Sequence, residues 1–530
     1  MSLAPAARAQ EAPTALPSFA QLEKAGARIG EIRIRNRDIF DTDDPAEDKL
    51  LFRWANALHM QTREGVIRRL VLLKPGQPVT VNLIEETERV LRSVSYLYDV
   101  QLRPLAYADG VVDIEVETRD TWTLDPGFSA SRTGGTNASS INIREFNLLG
   151  TGIGVSYGYA KNVDRSSNEF QILNEHAFDG WTSLRYTLAN NSDGRKQAFG
   201  VAHPFYALDT PWAAGASVSD DDRIDAVYNG GVVLNEYRRR ERLAEAYGGW
   251  SAGRVDGWVQ RYSAGVTQQD NRYSLEPGRV APASLPNDEK LVAPFVRYEL
   301  IEDRFEKVQN RNQIGRPEFF ALGFASSAQL GYAATNLGSS RTAWLYSGSA
   351  SRGFEPLPGD TLLASASISG QYANGEVQRQ RLGARAQYFM PHNKRWLFYL
   401  SAAGDMLTRP ELADALLLGG DNGLRGYPLR YQSGDQRALF TAEERFYTDV
   451  YAYRLFRLGG AVFFDYGRAW GGTNVNTNNP GWLKNAGIGL RIFSVRAAFS
   501  NVLHIDLAFP LDPDSNVKRV QFLVKTKTSF

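Results

Sequence analysis

Gly152-Ile153-Gly154-Val155-Ser156-Tyr157-Gly158-Tyr159-Ala160 places Ile153, Val155, Tyr157 and Tyr159 on one side of an extended chain and only glycine, serine and alanine on the other. One face suits hydrocarbon, the other a polar lumen. The C-terminus repeats the logic: Val520, Phe522, Val524 and Phe530 share one face, while Gln521, Lys525, Lys527 and Ser529 share the opposite one. Lysines facing lipid would be costly, so that second face points inward. From Trp122 onward helical periodicity nearly disappears, and alternating segments are separated by Gly, Asn, Asp and Pro. The reading is a mainly β chain whose residues 122–530 form a transmembrane antiparallel β-barrel. Periodicity divides this region into roughly sixteen to twenty strands, because 212–250 and 361–390 can be cut in more than one way. Trp181, Trp212, Trp250, Trp344, Trp396 and Tyr447 stand near strand ends, where amphipathic rings sit at a membrane interface. The general preference of strands for aromatics accounts for such a placement too.

Composition narrows the class. A chain of 530 residues exceeds one ordinary core, so two unequal units are expected. Lys and Arg total 60 against 59 for Asp and Glu, which removes the electrostatic case for a nucleic-acid partner. With no cysteine, neither a thiolate metal site nor a disulfide framework is available. No run approaches the roughly 18 apolar residues that a spanning helix requires, so a membrane crossing must be a closed barrel.

The N-terminal part reads differently. Residues 1–27 form a leader and linker: Ala7-Arg8-Ala9-Gln10-Glu11 resembles the small-residue end of a secretory signal, and Pro13 and Pro17 break periodicity. Residues 28–119 form a small α+β domain. Its parts are a strand from Arg28 to Arg35, helical spacing over 48–60, 64–72 and 81–91, and strands over 97–105 and 111–118 joined at Asp109-Gly110.

The most specific stretch is Leu418-Gly419-Gly420-Asp421-Asn422-Gly423-Leu424-Arg425-Gly426-Tyr427. Leu-Arg-Gly-Tyr after a glycine-rich approach resembles the Val/Ile/Leu-Arg-Gly-Phe/Tyr loop motif of the Omp85 superfamily of outer-membrane barrels with POTRA domains. Ala442-Glu443-Glu444-Arg445-Phe446 is similar to the family's Glu-x-Arg-Phe strand, and Phe463-Phe464-Asp465-Tyr466-Gly467 to its Phe-x-Asp-x-Gly strand. Glu145-Phe146-Asn147-Leu148-Leu149-Gly150-Thr151-Gly152 looks like the segment that opens these barrels, and 28–119 resembles a single POTRA domain. The terminal Phe530 suits a barrel-assembly signal, although the Gly expected near it is missing.

The resemblance implies a barrel of sixteen strands, about five of them after the motif loop, in the outer membrane of a Gram-negative bacterium, with 28–119 in the periplasm. It implies a factor that assists insertion or transport of proteins at that membrane. Unfolded outer-membrane or secreted polypeptides would be captured by 28–119 through strand addition, and outer-membrane lipids would surround the barrel. Two features depart from the family pattern: the POTRA domain is single, and the acidic stretch 41–48 separates its first strand from its first helix.

A loop that folds back into a lumen needs a directional anchor, and an arginine fork supplies one. Strand parity puts Asp465 on the same face as Arg457, Gly459, Ala461 and Gly467, and Glu443 with Thr441 and Arg445. Arg425 is therefore expected to enter the lumen and pair with Asp465 and Glu443, with Glu444 as reserve. Gly426 would permit close approach of the loop backbone, and Tyr427 and Gly467 complete the two motifs. The plain alternatives are a solvated loop arginine and ordinary lumen-lining carboxylates.

Nothing points to an enzyme, a cofactor or a metal. The five histidines, 59, 176, 203, 392 and 504, show no ligand spacing, and no Gly-x-Ser-x-Gly elbow appears. The glycine-rich 419–426 lacks the Lys-Ser/Thr of a phosphate loop. Tyr237-Arg238-Arg239-Arg240-Glu241-Arg242 offers a basic surface for anionic lipid headgroups or nucleic acid, but acidic neighbours dilute it and a solvated loop or strand extension is the favoured reading. The rival functional reading is a transport barrel or plugged pore for small solutes or lipids, and a third is a structural barrel without a client.

Overall fold

The computed structural model describes residues 16–133, 136–178, 180–229, 231–420, 422–472, 481–494, 502–515 and 517–527. Two compact units emerge, one comprising 1–122 with 149–151 and the other 123–148 with 152–530.

The smaller unit runs α1 (Phe19–Lys24), β1 (Arg28–Arg37), α2 (Leu50–Leu58), α3 (Glu64–Leu70), α4 (Val81–Ser93), β2 (Leu97–Ala108) and β3 (Val111–Asp120). The sheet order is β1-β3-β2, with β1 parallel and β2 antiparallel to β3. Val112, Ile114 and Val116 of the central strand are fully buried, as are Ile67, Leu70 and Leu91 from the helices. Asp109 (φ 52°) and Gly110 (φ 76°) supply the two left-handed residues of the tight β2–β3 turn. Thr80 caps α4 by accepting the Leu83 N–H at 3.3 Å.

Residues 18–27, read from sequence as linker, contain α1, capped reciprocally by Ser18 and Gln21, and bury Leu22 and Ala27. A helix this short is too brief to display a period. Helix α2 is inverted. Phe52 faces inward and stacks on Phe40 at 4.2 Å, while Leu50 (71% exposed), Leu51 (63%), Trp54 (62%) and Leu58 (74%) form an outward apolar stripe.

The larger unit is a barrel of antiparallel neighbours in which, among the described residues, twenty strands follow one another in closed order. Ten run from Leu124–Thr133 to Glu289–Glu302, five from Ala325–Ala333 to Trp396–Thr408, and five from Gln436–Ala452 to Gln521–Lys527. The sixteen implied by resemblance is thus exceeded, and the surplus lies before the motif loop, where the family motifs carry no strand count.

Outward faces carry the apolar side chains: Ile141, Tyr157, Val218, Val296, Val462, Ile488 and Phe522 are all exposed. The end at which the first barrel strand begins is the near rim, and the opposite end the far rim. Register aligns Trp212, Trp250, Tyr262 and Tyr298 side by side at the near rim, and Tyr332, Trp344 and Tyr372 at the far one. Tyr447 departs from this belt. It shares an inward face with Glu443 and Arg445, is 3% exposed, and donates its hydroxyl to the Arg311 carbonyl at 3.4 Å.

Strands Trp212–Asn229 and Val232–Val255 are far longer than the roughly 9–11 residues a bilayer requires. Their far halves are held by charge, with Arg240 on Asp220 at 2.7 Å and Arg238 on Asp222 at 2.8 Å. This absorbs the 238–242 basic cluster into paired strand.

Candidate functional site

Strands Gln436–Ala452 and Phe456–Trp470 are neighbours whose register sets Thr441 opposite Asp465 and Glu443 opposite Phe463. Because side chains alternate, these four share the inward face at one height. The loop 409–435 starts and ends at the far rim, and its limbs Leu416–Leu418 and Gln432–Gly434 pair antiparallel before it turns through 419–431.

That turn delivers Arg425 to the strand pair. Its Nε and Nη2 donate to the two Asp465 oxygens at 2.8 and 2.7 Å, and Nη1 donates to Glu443 Oε1 at 2.9 Å. Arg425 is 7% exposed, Glu443 4% and Asp465 0%. Planar fork-to-carboxylate pairing explains why an arginine and not a lysine stands here. The guanidinium also lies over the Phe463 ring, 3.4 Å from its centroid.

The surroundings complete the valences. Asp465 accepts from Asn485 Nδ2 at 2.9 Å and Thr441 Oγ1 at 3.0 Å, and Glu443 Oε2 accepts from Arg445 Nε at 2.9 Å. Asp506 stands 3.7 Å from Arg425 and takes Arg491 Nη1 at 2.5 Å. The arginines at 425, 445 and 491 thus interleave with the carboxylates at 443, 465 and 506. Parity would place Thr441 and Asn485 inward, yet no sequence signal gives their height in the barrel, so they escaped the sequence reading. Glu444, the reserve partner, is on the opposite face, with its carboxylate 3.6 Å from His392.

The glycines have a steric reason. A Cβ on Gly426 would stand 2.6 Å from Asn485 Cβ and 3.1 Å from the Pro510 nitrogen, and one on Gly467 would stand 2.9 Å from the Ala438 carbonyl oxygen. Tyr427 is buried, donates its hydroxyl to the Lys484 carbonyl at 3.1 Å, and packs with Leu418, Leu424, Tyr431 and Leu483. Phe530 lies outside the described residues.

Two further contacts hold the loop. Near its start, the Glu411 carboxylate takes Arg379 Nη2 at 2.6 Å and the Tyr273 hydroxyl at 2.9 Å. Late in the turn, Arg430 clasps Asp164 of the 162–165 turn and lies over the Tyr228 ring at 4.2 Å. Burial alone would push the Asp164 carboxyl up, but the Arg430 guanidinium and the Tyr228 hydroxyl hold it below its ordinary value. Among the described residues no cluster of His, Asp and Glu has the makings of a metal site.

The sequence model described as the Omp85 superfamily domain matches residues 147–530. The chain belongs to the Omp85 superfamily. No curated protein matches it. Solved structures similar to this Omp85 chain include BamA from Haemophilus ducreyi lacking POTRA domains 1–3, at 12% identity over 94% of this chain and 85% of that one, TM-score 0.39. CdiB from Acinetobacter baumannii is also 12% identical, with coverages of 95% and 73% and a TM-score of 0.46. CdiB from Escherichia coli gives 12%, 95%, 76% and 0.49.

Proposed function

We propose that this Omp85 protein is a non-enzymatic factor of the Gram-negative outer membrane that assists insertion or transport of polypeptides there, with residues 28–119 acting as one periplasmic POTRA domain. The observation that carries the reading is the Omp85 match through residue 530, whose matched region contains Arg425, held by Asp465 and Glu443 inside the barrel. In this reading the clasp fixes the loop's position and leaves the wall as the working surface.

Clients would dock where the smaller unit offers unsatisfied backbone and apolar surface. Strand β2 is an edge of its sheet, ready to accept an added strand. The stripe Leu50, Leu51, Trp54 and Leu58 offers apolar contact to the same extended client. At the barrel's closure, the last strand turns Phe522 and Val524 outward and then Thr526, so the apolar area facing lipid falls off along the seam.

A photoreactive side chain at Gln101 on β2, in the full protein reconstituted in vesicles, tests the assignment against an unfolded outer-membrane polypeptide. Crosslinks that compete with excess unlabelled polypeptide are expected. Absence of crosslinks from a correctly inserted protein would refute polypeptide handling while leaving the arginine geometry untouched, and would favour a solute or lipid barrel.

A further inference from the structure

Outer-membrane barrels have short turns at the end where the chain enters, but at the near rim of this one a long hairpin fills 303–324. Its limbs Phe305–Gln309 and Pro317–Ala321 pair antiparallel. The tip is preformed: the Glu318 carboxylate accepts the N–H groups of Arg311, Asn312 and Gln313 at 3.1, 3.1 and 3.2 Å. Asn310 (φ 57°) and Gly315 (φ 72°) make the bends that this requires.

The hairpin lies against distant wall. Arg311 Nη2 donates to the Gly359 carbonyl at 3.0 Å, and the Phe320 ring meets Phe389 at 5.5 Å. A Cβ on Gly315 would stand 2.6 Å from Arg457 Nε. Ile314 is 1% exposed and Arg311 9%, so the tip is enclosed.

The hairpin's last contact is with the clasp. The Arg311 carbonyl accepts Arg445 Nη1 at 3.0 Å, Arg445 Nε donates to Glu443 Oε2 at 2.9 Å, and Glu443 Oε1 takes Arg425 Nη1 at 2.9 Å. Arg445 is 3% exposed and lies over the Tyr399 ring at 3.8 Å. Motif loop and hairpin, inserted from opposite rims, are therefore joined by two side chains of one strand.

We infer that Glu443 and Arg445 are positioning residues that couple the motif loop to the 303–324 hairpin, so that the two inserts hold or leave the lumen together. Each Glu443 oxygen serves one arginine. When Arg425 withdraws, Arg445 is left hydrogen-bonded to a buried carboxylate that has lost its other guanidinium partner, which draws Arg445 off the Arg311 carbonyl. When the hairpin withdraws, Arg445 loses a buried acceptor and turns further toward Glu443, competing with Arg425. This rests on the clasp at Arg425 but not on whether the passenger is a polypeptide or a solute.

The chain has no cysteine, so single reporters are clean. Gln313→Cys on the hairpin and Leu429→Cys on the loop, in separate full-length proteins in lipid nanodiscs, are labelled with a hydrophilic maleimide. Heat-dependent gel migration confirms an intact barrel. Arg425→Ala is expected to speed labelling about tenfold or more at both positions, and Glu443→Gln, which serves if Arg425→Ala does not fold, to do the same. Arg445→Lys keeps a cation on Glu443 but cannot span to the Arg311 carbonyl, and should speed position 313 alone. Faster labelling at 429 with wild-type labelling at 313 in the Arg425 and Glu443 variants would overturn the coupling and spare the clasp. Wild-type rates at both positions would overturn the clasp as well.

Discussion

Arg425 is an expensive residue to bury, and its environment shows how the cost is offset: three hydrogen bonds to two carboxylates, a ring beneath it, and further donors on the carboxylates themselves. Such a pair adds little net stability, but opening it from one side is expensive. Arg425→Ala is expected to lower unfolding stability by about 3–5 kcal/mol, read from urea titration followed by gel migration. Adding Glu443→Gln and Asp465→Asn to that variant should recover part of the loss, because the cost lies in orphaned charge. If the triple variant is as weak as the single one, lost packing is responsible instead. The Arg425, Asp465 and Glu443 contact was legible because period-two parity assigns a face to each carboxylate and the motifs single out the strands. The partners Asn485, Asp506 and Arg491 were not, because parity gives a side and never a height, and the height is set by register across several neighbouring strands.

Elements were legible to the extent that their period survives to their ends. The strand Phe456–Trp470 alternates cleanly, with Gly459, Ala461, Phe463, Asp465 and Gly467 buried inward and Val462 60% exposed outward. Val462→Arg puts a charge into hydrocarbon and should cost about 2–4 kcal/mol in the same urea assay, whereas Ser367→Arg, on the lumen side of its strand, should be close to neutral. Equal losses at the two positions would mean that the faces are misassigned. Where strands outrun the bilayer, as in Trp212–Asn229 and Val232–Val255, apolar alternation gives way to ladders of Asp and Arg, so sequence alone could not fix their ends. The near-rim hairpin leaves no such mark, because its five-residue limbs FEKVQ and PEFFA are too short and too irregular to show a period. In α2 the helical spacing was plain, but a stripe of Leu and Trp reads as a core face, and only the structure shows it turned outward.

At the scale of the molecule, the larger unit is a cylinder occupied from both rims, with the loop 409–435 descending from one and the hairpin 303–324 from the other. Mixed small and charged inward residues leave space that the two inserts fill, and in the function proposed above the charges around Arg425 set where the loop rests. Hydrogen–deuterium exchange of the protein in lipid nanodiscs tests this directly by comparing peptides over 416–434 with the far-rim loop 275–288. Slow exchange over 416–434, close to that of the barrel strands and lost in Arg425→Ala, is the expected result. Exchange over 416–434 as fast as over 275–288 in the unaltered protein would contradict it.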